Sequence, residues 1–475
     1  MKKYTLKEAE KVFDLPIRFI TLLIRKGVID PIIEGGKILL PEAEIEKYFY
    51  LPKNERKKYR QSYLKTLGPG VITGAADDDG SGVVTYTQVG AQFGLGLSWL
   101  ALYLTPMMTA VQETSARIGI VTGKGLSGVL KRHYNKRLLF FLVSLLLIAN
   151  TVNIGADIGA MAAALQLITP MGFVFGAILI TVFMIALELS VRYYKYVKYL
   201  KFLTFSLFAY ILTGILVKPD ILEVVKNTVI PRVDFSLSFL AAVVAVMGTT
   251  ISPYLFFWQA SEEVEENIQK KIDTKHHPIV LKREIKEMRK DTWAGMIIAN
   301  IVFLFIVITA AATLNASGIT TIETAEQAAT LLRPLAGDFA YYLFTIGIIG
   351  VCLLAIPILA TSSSYALSEL LGWKEGLNKK FSEAKNFYLI IIASMFVGLL
   401  MNFIGINPMK ALYYTAILNG IISPIIMYFI FKVGRNKKIM GEYTNPRWVN
   451  IWGGLANILM GVGAILLIVF LFLGI

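Results

Sequence analysis

Cysteine, histidine and charged residues are scarce in this sequence, and each shortage narrows the class of protein. Cys352 is the only cysteine among 475 residues, which excludes an intrachain disulfide and a thiolate metal cluster. Charged residues make up 17% of the chain, whereas a typical soluble protein carries about a quarter. The histidines are His133, His276 and His277, and all three fall in charged segments. A soluble globular protein is therefore not expected, and the His276-His277 pair fits a solvated linker better than a metal site.

Long apolar runs fill most of the chain. Hydrophobic residues make up 55% of it, and the mean hydropathy is +0.61. Most runs are close to the roughly 18–20 residues that a helix needs to cross a bilayer, so hydropathy alone predicts an all-α polytopic membrane protein. We predict about eleven spanning segments, near residues 67–92, 96–117, 138–168, 171–191, 199–217, 236–260, 292–314, 337–370, 386–404, 409–431 and 448–474.

Basic residues are concentrated in every second loop between these segments. The net charge is +14, from 47 Lys and Arg against 33 Asp and Glu, and this excess fits the rule that cytosolic loops are positive. No signal peptide opens the chain, so we expect a cytosolic N-terminus and a location in the cytoplasmic (inner) membrane. The basic loops are 117–137, 192–201, 270–290, 374–385 and 432–447.

The first 50 residues are less apolar and form a separate small unit. Apolar residues recur at helical spacing between residues 5 and 24, a short strand follows at 36–40, and Pro41 opens another helix. The stretch resembles the small helix-turn-helix domain of the MerR and excisionase type, through YTLKEAEKVFDLPIRFITLLIRKGVI and GKILLPEAEIEKYF. The resemblance implies a winged-helix-like fold and DNA as a partner. A cytosolic cap or regulatory domain, which touches no DNA and binds a regulatory ligand or the inner gate, is the alternative.

Three consecutive carboxylates interrupt the first apolar segment, those of Asp77, Asp78 and Asp79. An acid at the middle of a membrane helix costs about 2.5–3.5 kcal/mol on insertion scales, so such residues usually serve a function. Gly80 and Gly82 follow, and glycine is a poor helix former. Because irregular backbone inside a membrane must line a cavity, we predict a broken helix whose carbonyls and carboxylates form a cation site.

A second interruption lies in the sixth segment, within GTTISPY at 248–254. Pro253 removes a helical hydrogen bond and frees carbonyls of the preceding turn, and three hydroxyl residues precede it. Interrupted helices at corresponding positions of two inverted repeats are the best sequence indicator of a transporter site. The two breaks therefore predict one binding site between them.

The apolar segments resemble the Nramp family of divalent metal transporters over about residues 66–474. The resemblance implies a LeuT-type fold of two inverted five-helix repeats, with transport by alternating access. It also implies a divalent metal ion as the substrate, no enzymatic activity and no cofactor. The stretches that carry it are GPGVITGAADDDGSGVVTYTQVGAQFG in segment 1, QETSARIGIVTGKGL in segment 2, ADIGAMAAALQL in segment 3, GTTISPYLFFWQASE in segment 6 and KKIMGEYTNPRW before segment 11.

The chain departs from the family signature at several ligand positions. Asp79 keeps the carboxylate of the family's Asp-Pro-Gly-Asn motif, but the Asn falls on Gly82. The family's Met falls on Ser252, its carbonyl-donating Ala on Thr249 and its His on Tyr254. The loss of the thioether is similar to that in a magnesium-transporting branch of the superfamily. Oxygen ligands favour Mg²⁺ or Mn²⁺, so we predict a site formed by Asp79, Ser252, the Thr249 carbonyl, Asp78 or Asp77, and Asn419.

Proton coupling is expected to be weak or absent. No histidine lies in an apolar segment to titrate near neutral pH. The family's acidic pair in segment 3 falls on Ile154 and Asp157, so one acid is missing. Asp157 is the remaining candidate for a proton relay, or it is hydrogen-bonded to Asn150 or Asn153. A proton-coupled Mn²⁺/Fe²⁺ symporter like the rest of the family is the alternative.

These observations predict a helix-turn-helix-like cytosolic domain at 1–50, a basic linker at 51–65 and an Nramp-like transporter domain at 66–475. The predicted function is transport of a divalent metal ion through the lipid bilayer. Two further alternatives stay open. One is an organic-substrate symporter of the same fold, whose first break would bind a carboxylate with bare amides. The other is a membrane-tethered regulator whose N-terminal domain binds DNA while the membrane part senses metal.

Overall fold

The computed structural model describes residues 2–13, 15, 17–25, 28–34, 37–51, 68–190, 203–234, 236–270, 278–322 and 333–473. Within these residues the chain is predominantly helical, with one small sheet near the N-terminus. The predicted linker, from residue 52 onward, lies outside the described residues, and so does the His276-His277 pair.

The N-terminal unit contains three short helices and a three-stranded antiparallel sheet of order β1-β3-β2. Phe19, Ile20 and Leu23 recur at helical spacing and are buried together with Leu40 and Ile45, so this unit has a hydrophobic core of its own. The elements follow the predicted order of helix, helix, hairpin and helix, with β1 as an added strand. They are β1 (Lys3–Thr5), α1 (Leu6–Phe13), α2 (Ile17–Arg25), β2 (Ile32–Glu34), β3 (Lys37–Pro41) and α3 (Glu42–Tyr50).

The rest of the described chain is built from helices joined by short connections. Single turns of 3-10 helix add to them at Thr204–Leu207 and Asn315–Ser317. The helices are α4 (Pro69–Asp77), α5 (Gly80–Phe93), α6 (Trp99–Thr122), α7 (Leu126–His133), α8 (Lys136–Ile168), α9 (Phe173–Ser190), α10 (Phe208–Leu216), α11 (Ile221–Val229), α12 (Leu237–Thr250), α13 (Pro253–Lys270), α14 (Pro278–Thr313), α15 (Arg333–Leu371), α16 (Lys385–Met401), α17 (Pro408–Gly434), α18 (Lys437–Met440) and α19 (Arg447–Leu473).

Several of these helices are long and apolar enough to cross a membrane. Over the described residues there are seven such spans, or eight when the segments 205–216 and 221–229, bent by 119°, count as one broken span. The eleven spans predicted from hydropathy stay a prediction. One reason for the lower count is that α4 and α5 are separate helices of 9 and 14 residues, each shorter than a bilayer crossing requires.

Glycines bring both broken helices into backbone contact with a long neighbouring helix. A Cβ atom on Gly74 of α4 would lie 2.3 Å from the backbone of Gly295 on α14. A Cβ atom on Gly248 of α12 would lie 2.0 Å from the carbonyl oxygen of Ala416 on α17. Small residues at such contacts are the usual means by which membrane helices approach closely. The breaks are thus positioned by direct contact between helix backbones.

Two of the predicted basic loops are in part helical. Helix α6 continues beyond Arg117, which is buried and forms an ion pair with Glu113. Arg289 of α14 binds the same Glu113 carboxylate at 3.0 Å. The described part of 262–290 belongs to α13 and α14. Arg117, which the sequence placed in a solvated loop, is therefore buried and paired, and Arg289 adds a partly exposed second partner to Glu113.

Candidate metal site

The first break separates α4 from α5 at the acidic residues. Helix α4 ends at Asp77, and Asp78 has φ −87° and ψ 47°, outside the helical region. Asp79 is the N-cap of α5, in an extended conformation, and its side chain accepts a hydrogen bond from the Gly82 amide at 2.8 Å. A carboxylate at this position satisfies a free amide and lies at the positive end of the helix dipole. The predicted broken helix is therefore present, and Asp79 starts its second half.

Four hydrogen-bond donors surround the carboxylate of Asp79, which is 1% exposed. Oδ1 accepts from Ser81 Oγ at 2.5 Å and from Gly82 N at 2.8 Å. Oδ2 accepts from Asn153 Nδ2 at 2.9 Å and from Tyr254 Oη at 3.1 Å. A carboxylate offers about four lone-pair positions. All four positions face a protein donor, although the single proton of Tyr254 is also within reach of the Ala76 carbonyl at 2.7 Å, so a metal ion that binds Asp79 directly has to displace one of these donors.

The second break lies between α12 and α13, as predicted. Helix α12 ends at Thr250, Ile251 has φ −117° and ψ 60°, and α13 begins at Pro253. Ser252 donates its hydroxyl to the carbonyl oxygens of Thr249 at 2.6 Å and of Gly248 at 2.8 Å. These carbonyls belong to the last turn of α12, where no further helical N–H group is available to donate to them. Ser252 therefore covers the carbonyl that was predicted to bind metal.

Besides the contact between Tyr254 and Asp79, three further contacts within hydrogen-bond distance join the two broken helices. Ser81 Oγ lies 3.0 Å from Thr249 Oγ1, and Tyr86 Oη lies 3.1 Å from Thr250 Oγ1. In the third, Tyr254 Oη donates to the carbonyl oxygen of Ala76, at the end of α4, over 2.7 Å. The site between the breaks is thus closed by neutral oxygen atoms from both broken helices.

Asn419 lies on a face of α17 that is turned toward the same region. One turn before it, Thr415 Oγ1 lies 3.0 Å from Asn153 Oδ1, and one turn after it, Ser423 donates to the Ile251 carbonyl at 2.8 Å. Asn419 is 2% exposed, and its Oδ1 atom has no hydrogen-bond partner among the described residues. A buried amide oxygen without a partner, next to a free helix end, is suited to bind a cation.

The other two acids of the first break are buried without hydrogen bonds. Asp77 and Asp78 are 1% and 0% exposed, and none of their four carboxylate oxygens has a hydrogen-bond partner among the described residues. Nowhere in the described chain do three or more Asp, Glu, His or Cys side chains converge as a metal-binding group. A metal site at Asp79 therefore has to rely mainly on neutral oxygens and on water.

Asp157 is close to the first break but not to the partners that we expected. Its Oδ1 atom lies 3.7 Å from Cys352 Sγ, and a Cβ atom on Gly80 would lie 2.1 Å from it. The alternative in which Asp157 is hydrogen-bonded to Asn150 or Asn153 is not found in the structure. Asn150 donates to Ser363 Oγ at 2.9 Å, whereas Asn153 is directed toward Asp79. The cause is that Gly80 lets the Asp157 carboxylate pack directly against the start of α5.

Two partners of Asp79 were missed from the sequence. Asn153 was considered as a hydrogen-bond partner of Asp157, and Tyr254 only as a replacement for a family histidine. A signal for Asn153 was available, because it lies four residues before Asp157 and hence on the same face of α8. Tyr254 follows Pro253 directly, in the first turn of the second half-helix, where side chains point toward the break.

A small cavity adjoins the site next to Gly80. It has a volume of about 10 Å³ and is lined mostly by apolar groups, including Val83, Phe344, Met409 and Leu412. A cavity of this size has room for about one water molecule. The space beside the start of α5 therefore holds no more than about one water molecule.

The fold is shared with solved transporter structures. The chain matches a mutant form of a manganese transporter of Eremococcus coleocola with a TM-score of 0.72 at 18% identity, covering 89% of this chain and 90% of the other. It also matches Mhp1, a nucleobase-cation-symport-1 family transporter, with a TM-score of 0.53 at 16% identity, covering 86% and 91%. The chain therefore shares its overall fold, including the paired broken helices, with these solved structures.

The family is shown by a sequence model. Residues 70–470 match the Nramp model, natural resistance-associated macrophage protein-like, and the chain belongs to this family. Among its relatives is the divalent metal cation transporter MntH of Klebsiella pneumoniae strain 342, 26% identical over 402 residues, which cover 83% of this chain and 91% of MntH. A second MntH, from Klebsiella pneumoniae subsp. pneumoniae, is 27% identical over 398 residues, covering 82% and 90%. Members of this family are transporters, and the chain is not an enzyme.

Proposed function

We propose that this protein transports a divalent metal ion across the membrane by alternating access, with Asp79 as the central ligand. The observation that carries the proposal is the position of Asp79 at the junction of both broken helices, where its carboxylate contacts residues of α5, α8 and α13. Half-helix ends at such a junction bind ions in many transporters. The relatives named as divalent metal cation transporters support the same substrate class.

The chemistry of the donors favours Mg²⁺ or Mn²⁺ over softer ions. Besides Asp79, the candidate ligands are the Thr249 carbonyl, the Ser252 hydroxyl and the Asn419 amide oxygen, with Asp78 or Asp77 nearby and water completing the shell. All of these donors are oxygen atoms, which hard cations prefer. Because Ser252 donates to the Thr249 carbonyl at 2.6 Å, its proton occupies one of the two lone pairs of that carbonyl and leaves the other for a metal ion.

Uptake into proteoliposomes tests this function. We expect the wild-type protein to take up Mn²⁺ or Mg²⁺, and Asp79→Asn to reduce uptake to the level of empty liposomes. Asp220→Asn is a matched control, because Asp220 is an exposed helix cap on α11. Normal uptake by Asp79→Asn would contradict the proposed site. Tight Cd²⁺ binding without competition from millimolar Mg²⁺ would contradict the preference for a hard ion.

We also infer that transport is weakly coupled or uncoupled to protons. Histidine is absent from the described spans, and Asp157 is the single candidate relay that adjoins the first break. A lumen that acidifies in proportion to metal uptake would overturn this inference and favour a proton-coupled Mn²⁺/Fe²⁺ symporter. An organic-substrate symporter is disfavoured, because its first break would offer bare amides to a substrate carboxylate, whereas this break carries three buried acids.

The N-terminal unit is proposed to be a cytosolic regulatory domain of helix-turn-helix type. Residues 2–51 carry nine Lys and Arg against eight Asp and Glu. DNA binding depends strongly on positive charge that releases counterions from phosphate, and this small excess favours a regulatory ligand over DNA. A salt-dependent shift of a DNA fragment by the full chain would instead support the membrane-tethered regulator. Labelling of single cysteines from either side of the membrane tests the cytosolic placement.

A further inference from the structure

The amide of Asn153 is held between two partners on opposite sides. Its Nδ2 atom donates to Asp79 Oδ2 at 2.9 Å, and its Oδ1 atom lies 3.0 Å from Thr415 Oγ1. Asn153 is 0% exposed, and Thr415 is 2% exposed. The side chain therefore faces the candidate site with its NH₂ group and faces α17 with its oxygen.

The hydroxyl of Thr415 can form a hydrogen bond with either the oxygen or the NH₂ group of the Asn153 amide. Its hydroxyl lies 2.8 Å from the Leu412 carbonyl as well as 3.0 Å from Asn153 Oδ1. A hydroxyl carries one proton and two lone pairs, so it donates to one acceptor at a time and accepts through its oxygen. When Thr415 donates to Leu412, its oxygen is free to accept a hydrogen bond from an NH₂ group of Asn153.

The other donors to Asp79 have no comparable alternative. The Gly82 amide belongs to the backbone of α5, and Ser81 is two residues from Asp79 in the same turn. Tyr254 Oη lies 2.7 Å from the Ala76 carbonyl oxygen. A phenol has a single polar atom, so its rotation cannot replace that atom by a different one. Asn153 alone among the four carries a separate acceptor atom, Oδ1, which it presents to the site when its amide turns through half a rotation.

We propose that Asn153 is a metal ligand of the transport site, reached by reversal of its amide, and that Thr415 positions both orientations. This inference rests on the proposed transport of a divalent metal at Asp79. In the metal-free orientation, the NH₂ group of Asn153 donates a hydrogen bond to the Asp79 carboxylate. In the metal-bound orientation, Oδ1 of Asn153 faces the ion, NH₂ donates to Thr415, and Thr415 donates to Leu412.

The spacing of the two groups fits a small hard cation. Reversal places Asn153 Oδ1 near the present position of Nδ2, 2.9 Å from Asp79 Oδ2. Neighbouring oxygens of an octahedral shell lie about 2.9 Å apart when each metal–oxygen distance is about 2.0–2.1 Å, as for Mg²⁺. The switch also explains how a carboxylate with four donors admits an ion, because the same side chain that blocks Asp79 becomes its co-ligand.

The test is the dissociation constant of Mn²⁺ and Mg²⁺, measured by calorimetry on the full chain in detergent. We expect Asn153→Leu to weaken binding at least about tenfold, the effect expected for a lost ligand or for a partner next to it. We expect Asn153→Asp, which keeps an oxygen toward the ion, to retain binding. Asn150→Leu is the matched control, because Asn150 is a buried amide on the same helix that donates to Leu359 and Ser363.

Two roles without ligation predict other results. If Asn153 only competes with the metal for Asp79, then Asn153→Leu removes a competitor, and unchanged or tighter binding would overturn the inference. If Asn153 only orients Asp79 through its NH₂ group, then Asn153→Asp, which cannot donate, loses binding together with Asn153→Leu, and that result would overturn the inference as well. Should Asn153→Leu fail to fold, Thr415→Val gives a second measurement, with at least about threefold weaker binding expected and unchanged or tighter binding contradicting the proposal. Asp79→Asn separates the two proposals: if it binds metal normally, the proposed site itself is wrong. If only Asp79→Asn loses binding, the assignment of Asn153 alone fails.

Discussion

Ser81 Oγ lies 3.0 Å from Thr249 Oγ1, and this contact connects the start of α5 with the last turn of α12. Ser81 also donates to Asp79. A displacement of either half-helix therefore changes the surroundings of the Asp79 carboxylate, because the single hydroxyl of Ser81 joins the two. This arrangement is suited to alternating access, in which groups on moving helices must change partners together.

The contact between α12 and α17 should tolerate no side chain at Gly248. A Cβ atom there would lie 2.0 Å from the Ala416 carbonyl oxygen, and backbone atoms cannot move aside as a flexible side chain can. We expect Gly248→Ala to destabilise the protein by about 1–3 kcal/mol through overpacking, seen as a lower melting temperature in detergent. Gly172→Ala is the control, since no atom lies within 4 Å of its added methyl group. Equal melting temperatures for the two variants would contradict the close contact.

Glu113 should be the most sensitive member of the buried charge cluster. It is fully buried and pairs with both Arg117 and Arg289. Removal of its charge leaves two cations without a partner, which typically costs about 3–5 kcal/mol for a buried pair. Glu113→Gln should therefore lower the melting temperature more than Arg289→Gln, whose side chain is 37% exposed. A double-mutant cycle between Glu113 and Arg289 measures the coupling, and a coupling of zero would show that the pair is not formed.

The local signals for both breaks were readable from the sequence. The glycines that follow Asp79 predicted an interrupted helix, and Pro253 predicted another interruption, because each residue type disfavours a continuous helix for a local reason. The partners of Asp79 could not be derived in this way. Asn153 is 74 residues from Asp79 and Tyr254 is 175 residues away, and only the packing of α8 and α13 against the first break brings them within reach.

The charged residues Glu113, Arg117 and Arg289 show the same limit of prediction from sequence. Hydropathy assigned Arg117 to a basic loop, since sequence patterns cannot tell a solvated arginine from one that is buried against a carboxylate on its own helix. The pair with Arg289 depends on a residue 176 positions away from Glu113. Long-range pairing of charges was therefore outside what local composition could predict.

Glu375 should make stability depend on pH. Burial, and next the charge of Glu369, raise the pKa of Glu375 from 4.5 to about 9. The folded state then binds a proton that the unfolded state releases above pH 4.5, so stability falls as pH rises from about 4.5 to about 9. A glutamine at position 375 has no such proton to lose. The melting temperature of Glu375→Gln should therefore rise relative to that of the wild type as the pH rises toward 8. Other charges acting on the group are Lys379, Glu265 and Lys124.

The comparison needs melting curves at pH 5 and pH 8 for both proteins. Glu442→Gln, at an exposed position, controls for the loss of one acidic residue. A difference between Glu375→Gln and wild type that stays constant from pH 5 to pH 8 would rule out titration of Glu375 in this window.

Ser252 should control the choice between hard and soft ions. It sits in the second break and donates to the Thr249 carbonyl at 2.6 Å, so a longer side chain at this position enters the space between the breaks. A methionine sulfur prefers soft cations, and we expect Ser252→Met to raise the affinity for Cd²⁺ relative to Mg²⁺ by about tenfold. Ser252→Ala removes the hydroxyl without adding sulfur and should leave this ratio close to the wild-type value. Calorimetric titration of both ions gives the ratio directly. A folded Ser252→Met protein with the wild-type ratio would place the bound ion away from the second break, whereas a shifted ratio would place it between Asp79 and α12.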